Sequence, residues 1–117
     1  MKESILKDKS KSFAIQIVYL YKYLCDEKRE FTMSKQLLKS GTSIGANIME
    51  AQFAQSLADF VSKMSIALKE ASETLYWLEL LTETEYLDKQ QSEELIQNCY
   101  ELIKMLHATV KTSKQKL

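Results

Sequence analysis

The 117-residue chain contains no proline and only two glycines, and that scarcity decides most of what it can become. Sheet proteins need turn residues at short, regular intervals, and this chain lacks them. Long helices joined by short polar turns remain, which makes the chain all-α. The two glycines, Gly41 and Gly45, stand four apart inside Leu37-Leu38-Lys39-Ser40-Gly41-Thr42-Ser43-Ile44-Gly45-Ala46-Asn47-Ile48-Met49-Glu50-Ala51, a stretch that otherwise reads as helix. A glycine in a helix interior costs about 1 kcal/mol relative to alanine, and Thr42, Ser43 and Ile44 add to the strain. A helix that keeps them is held by its neighbours, with Gly41 and Gly45 as close-packing positions. Their spacing matches a membrane dimer motif, but Lys39, Ser40 and Asn47 are incompatible with a bilayer setting.

Apolar periodicity outlines four helices, over roughly 3–27, 33–54, 57–83 and 89–112. In the first, Phe13, Ile17, Leu20 and Leu24 share a face, with Ala14, Val18, Tyr21 and Cys25 beside them. The second carries Leu37, Gly41, Ile44, Ile48 and Ala51, with Thr32 or Ser34 expected as its N-cap. Alongside runs a polar stripe at heptad spacing, Ser40, Ser43, Asn47 and Glu50, of the kind that fixes register or oligomer state, or lines a binding site. The third helix opens on a capping-box pattern, Ser56 to Asp59. Its seam reads Val61, Met64, Leu68, Ala71, Leu75 and Leu78, widened by Phe60, Ala67, Trp77, Leu80 and Leu81. That apolar surplus makes Trp77, Leu80 and Leu81 candidates for an oligomer interface. Asp88 with Gln91 opens the fourth helix, whose seam is Leu95, Cys99, Leu102 and Leu106, with Ile96, Ile103 and Val110 alongside. Short connections force antiparallel neighbours, so the expected architecture is an up-down-up-down four-helix bundle in a single domain, 1–117.

Net charge is zero but unevenly spread. Residues 1–11 hold four lysines against Glu3 and Asp8, and residues 108–117 hold Lys111, Lys114 and Lys116 with no acid. Residues 50–101 hold eleven acids against Lys63, Lys69 and Lys89, a net of −8. An antiparallel bundle of four helices brings both termini to one end, which is then basic. The lysines there read as solvated tails or as nucleic-acid contacts through Lys111, Lys114 and Lys116. A single arginine, Arg29, and zero net charge make a weak nucleic-acid signal. Cys25 and Cys99 lie in apolar helical patterns without a CxxC and read as reduced core residues of a cytoplasmic protein. The run Phe13–Cys25 is interrupted by Gln16 and Lys22, too short and polar to span a bilayer and without a cleavage site.

No catalytic constellation emerges. A di-iron carboxylate bundle needs Glu-x-x-His on two helices, whereas this chain has one histidine, His107, preceded three residues earlier by Lys104. Glu70 and Glu73, one turn apart, are paired carboxylates that in a pocket can do acid–base work. On a helix face they are polar contacts for the second helix. No phosphate loop or nucleophile elbow occurs. The expectation is a non-enzyme without cofactor, metal or membrane partner.

The block from Leu37 to Ala51 resembles a bacterial family of four-helix bundle proteins, first recognised as products of intervening sequences within 23S ribosomal RNA genes and called S23-like. The resemblance continues through Asp59-Phe60 and Ala67-Leu68-Lys69-Glu70-Ala71 to Glu73-Thr74-Leu75-Tyr76-Trp77-Leu78. It implies an up-down-up-down bundle that assembles into a homo-oligomeric ring, a pentamer, with no enzyme activity. A distantly similar bundle, the accessory protein of diversity-generating retroelements, forms strongly basic pentamers that bind nucleic acid and a reverse transcriptase. The neutral charge and single arginine of this chain depart from that pattern. Ser43, Asn47, Glu50, Glu70 and Glu73 stand at the family's characteristic polar positions, and an interhelical or intersubunit hydrogen-bond network is the expected role for them.

Overall fold

A computed structural model describes residues 2–117, and side chains from residue 5 onward. Lys2 and Glu3, counted in the basic N-terminal charge, have side chains outside the described residues. Four helices follow in order: α1 (Lys2–Asp26), α2 (Met33–Gln52), α3 (Leu57–Glu83) and α4 (Lys89–Lys114). They form an antiparallel bundle with extents of 46 × 20 × 20 Å. Among the described residues each helix packs its backbone against its two neighbours around the square, while the diagonal pairs α1/α3 and α2/α4 stand further apart and meet only through the core. The α2/α3 seam is the most extensive and the α1/α4 seam the thinnest.

The helix ends show how a chain with so little glycine stops its helices. After α1, Arg29 takes a left-handed conformation (φ 53°) and the Glu30 N–H reaches back to the Leu24 carbonyl at 3.0 Å. The N-terminus of α2 is capped by neither Thr32 nor Ser34. Instead the carboxylate of Glu30, 8% exposed, accepts from the N–H groups of Thr32 (3.3 Å), Met33 (3.1 Å) and Ser34 (2.8 Å). A negative charge there satisfies orphan donors and opposes the positive end of the helix dipole. Helix α2 ends at Gln52, two residues short of the expected boundary. The α3 cap uses Ser56, whose hydroxyl accepts from Asp59 N at 3.0 Å. At its far end Tyr86 N donates to Leu81 O and Glu85 N to Thr82 O, a Schellman closure with Glu85 left-handed at φ 69°. Asp88 and Gln91 form a reciprocal capping box for α4, at 2.7 and 3.0 Å. Helix α4 runs two residues past its expected end at 112, to Lys114.

The core is built from Phe13, Ile17, Leu24, Leu37, Ile44, Ile48, Met64, Leu78 and Leu102 with their neighbours. On α3 the buried positions are Val61, Met64, Ala67, Ala71, Thr74, Leu78 and Leu81. Leu68 and Leu75, expected in the seam, are only half-buried and flank it. Small side chains at Ala67, Ala71 and Thr74 let α3 lie close to its neighbours, so shape rather than hydrophobicity selects the stripe.

Gly41 and Gly45 face α1. A Cβ at Gly41 would stand 2.8 and 2.9 Å from the two γ carbons of Ile17, which is fully buried. One at Gly45 would meet Ser10 at 3.4 Å or more, an ordinary contact. The second stripe of α1 is half-buried rather than core, and Cys25 with it, its Sγ 3.8 Å from Ser34 Oγ.

Candidate oligomer interface

Beside its buried stripe, α3 carries a second one at the same spacing: Lys63, Ile66, Glu70, Glu73, Trp77 and Leu80, in steps of three and four. Lys63 Nζ lies 3.6 Å from Glu50 Oε1, which places this side of α3 beside α2. Ile66, Trp77 and Leu80 are half-buried and so retain apolar surface at the solvent edge. The Trp77 indole packs on the core, donates Nε1–H to Glu73 Oε2 at 3.2 Å and meets Tyr76 edge-on, with ring centroids 5.0 Å apart at 74°. Tyr76 itself is 57% exposed. An indole held on two sides by its own helix is a rigid amphipathic projection, the type of group that anchors interfaces.

The polar stripe of α2 lies on the same side. Ser43 Oγ donates to Lys39 O at 2.6 Å and Asn47 Nδ2 to Ser43 O at 2.8 Å, both within their own helix. Glu50 pairs with Lys63, Glu73 with Trp77, and Glu70 is half-buried. The expected interhelical network through Ser43, Asn47, Glu70 and Glu73 therefore does not form within one chain. Ser43 and Asn47 are short enough to satisfy themselves one turn back along α2, and Glu73 takes its donor from Trp77 one turn ahead. The hydroxyl contact that does bridge α2 and α3 is Ser40 with Thr74, 3.0 Å apart and buried, with Thr74 Oγ1 also 2.7 Å from the Glu70 carbonyl. Thr74 was not singled out in the sequence. Its only signal is position, seven before Leu81 and three after Ala71 on the buried stripe. Leu81, expected at an interface, is fully buried in the core. It lies one step round the helix from Leu80, on the inward side.

Elsewhere the chemistry is sparse. Cys99 Sγ donates to the Ala71 carbonyl at 3.3 Å, and burial, with a smaller contribution from Glu79, pushes its thiol up to about 12. His107, Lys111, Lys114 and Lys116 are exposed. Among the described residues no three His, Cys, Asp or Glu side chains are grouped to hold a metal ion, and no helix is long and apolar enough to cross a membrane. Three surface grooves, of about 120, 290 and 280 Å³, lie along the α1/α4, α1/α2 and α1/α4 seams, and none is lined by Glu50, Glu70 or Glu73.

Residues 2–108 match a family described as 23S rRNA-intervening sequence proteins. The chain is also similar to a crystal structure of a protein of unknown function from the S23 ribosomal protein family of Bacteroides thetaiotaomicron. The two are 57% identical, over 95% of this chain and 99% of that one, with a TM-score of 0.92. No curated protein matches the chain significantly.

Proposed function

The chain belongs to the 23S rRNA-intervening sequence protein family, and from that footing we propose that it is a non-enzymatic, cytoplasmic, homo-oligomeric scaffold or adaptor, with five copies as the favoured assembly. One observation carries this reading: the outer stripe of α3 holds Trp77 and Leu80 half-buried at the solvent edge, beside the exposed Tyr76. A rigid aromatic with a neighbouring leucine, rimmed by polar side chains, is the composition of an interaction surface. The carboxylates beside it favour a contact surface over a catalytic one, because Glu50, Glu70 and Glu73 line none of the three grooves described above. The number five comes from the family resemblance. Light scattering on the purified, nuclease-treated protein tests the reading. A mass about five times the 13.6 kDa chain is expected, and a compact single chain at micromolar concentration would refute it.

A second reading, an accessory protein that binds RNA or DNA, is favoured by Lys111 and Lys114 in the last turn of α4 and Lys116 just beyond, all exposed. It requires salt-sensitive binding that weakens when all three are changed to glutamine. Binding indifferent to those changes would remove this reading.

A further inference from the structure

The α1/α2 seam holds a groove of about 290 Å³ that the reading above leaves without a role. Its floor is made of small or flexible side chains, among them Ala14, Gly45, Ala46 and Met49, and Lys7 and Lys11 stand on its rim. Neither lysine makes an ion pair among the described residues, whose two pairs are Lys9–Glu101 and Lys63–Glu50. Met49 is 42% exposed, so the groove offers uncovered apolar surface beside the exposed Lys7 and Lys11. An occupant that fits has apolar side chains one turn apart, flanked by two acids. The outer stripe of α3 has that composition, with Trp77 and Leu80 following Glu70 and Glu73.

We propose that the groove between α1 and α2 receives the Glu70–Leu80 stripe of α3 from a second copy of this chain, with Lys7 and Lys11 facing Glu70 and Glu73. The proposal rests on the homo-oligomer reading and names its two surfaces. Within one chain they do not meet, because α1 and α3 stand diagonally across the bundle. Groove and stripe are different patches, so the contact is head-to-tail, and every copy uses both surfaces. Such a contact closes into a ring when its rotation allows, where a self-complementary patch would stop at a pair.

Charge reversal tests it. Lys7→Glu with Lys11→Glu, or Glu70→Lys with Glu73→Lys, should each drop the light-scattering mass to the single-chain 13.6 kDa. All four changes together restore opposite charges across the contact and should return the wild-type mass. Trp77, the only tryptophan, supplies a second readout. In the Lys7/Lys11 variant its emission should shift to the red, because those lysines influence the indole only through a neighbouring copy. All four side chains are exposed or half-buried, and far-UV dichroism checks that each variant folds. A wild-type oligomer whose mass and Trp77 emission survive both double reversals would overturn the pairing while leaving the oligomer intact. Failure of the fourfold variant to reassemble would overturn it too. A wild-type single chain would instead remove the reading beneath it.

Discussion

Replacing Gly41 and Gly45 in turn by alanine should move stability in opposite directions, although both sit mid-helix in the same stretch. On propensity alone each change gains about 1 kcal/mol. At Gly41 the new Cβ would stand 2.8 and 2.9 Å from the γ carbons of Ile17 and 3.3 Å from its Cβ. Ile17 is fully buried, and a β-branched side chain in a helix has essentially one rotamer, so rotation cannot clear the contact. Relief requires α1 and α2 to separate, an overpacking cost of about 1–3 kcal/mol. The net for Gly41→Ala is a loss of up to about 2 kcal/mol, or as much as roughly 10 °C in Tm for a domain of this size. At Gly45 the new methyl would meet Ser10 at 3.4–3.6 Å without a clash, so Gly45→Ala should gain about 0.5–1 kcal/mol. Circular dichroism at 222 nm, with heat and urea at fixed protein concentration, measures both, since association shifts apparent stability. Ile17→Ala should cost less in the Gly41→Ala background than alone, a coupling of about 1 kcal/mol. A Gly41→Ala protein that melts at or above the wild type would refute the close-approach reasoning.

Other perturbations follow from the helix ends and the core thiol. Glu30→Ala strips the three N–H groups at the start of α2 of their acceptor and should cost about 1–2 kcal/mol in urea unfolding; an unchanged midpoint would show that water replaces the cap fully. Glu85→Gly relieves a left-handed residue at the α3 terminus and should raise stability by about 0.5–1 kcal/mol, with a lowered Tm as the contrary result. The Cys99 thiol is raised in the folded state, so its contribution is full below the unfolded value near 9 and is lost as pH climbs towards about 12. Stability should therefore fall above about pH 9, by up to about 1.4 kcal/mol per pH unit, and Cys99→Ala should flatten that part of the profile. A slope identical in wild type and variant would assign the fall to other groups.

The four helices were legible because their apolar periodicity runs for five or more turns between polar turns, and no glycine or proline interrupts it except at Gly41 and Gly45. What the sequence concealed were choices between neighbouring stripes. Leu68 and Leu75 are more hydrophobic than Ala67 and Thr74, yet the smaller pair is buried, because the space available across α3 is set by its partners. The same one-position ambiguity placed Leu81 at the surface beside Leu80, when it lies in the core. The α2 cap was missed because a glutamate two residues before the N-cap position is not an ordinary capping residue. Only the left-handed turn at Arg29 brings its carboxylate over the first turn. Among the polar positions, Ser43 and Asn47 kept their hydrogen bonds within α2, and the buried bridge fell instead to Ser40 and Thr74. Spacing reveals that a polar stripe exists. It does not reveal whether each hydroxyl turns back along its own helix or across to the next.

Sedimentation equilibrium of the native protein, across a range of micromolar concentrations, tests the oligomer most directly. A concentration-independent mass about five times the 13.6 kDa chain is expected if neighbouring copies cover the Trp77 stripe. A single-chain mass throughout would contradict it, and would leave Ile66, Trp77 and Leu80 as ordinary exposed apolar surface.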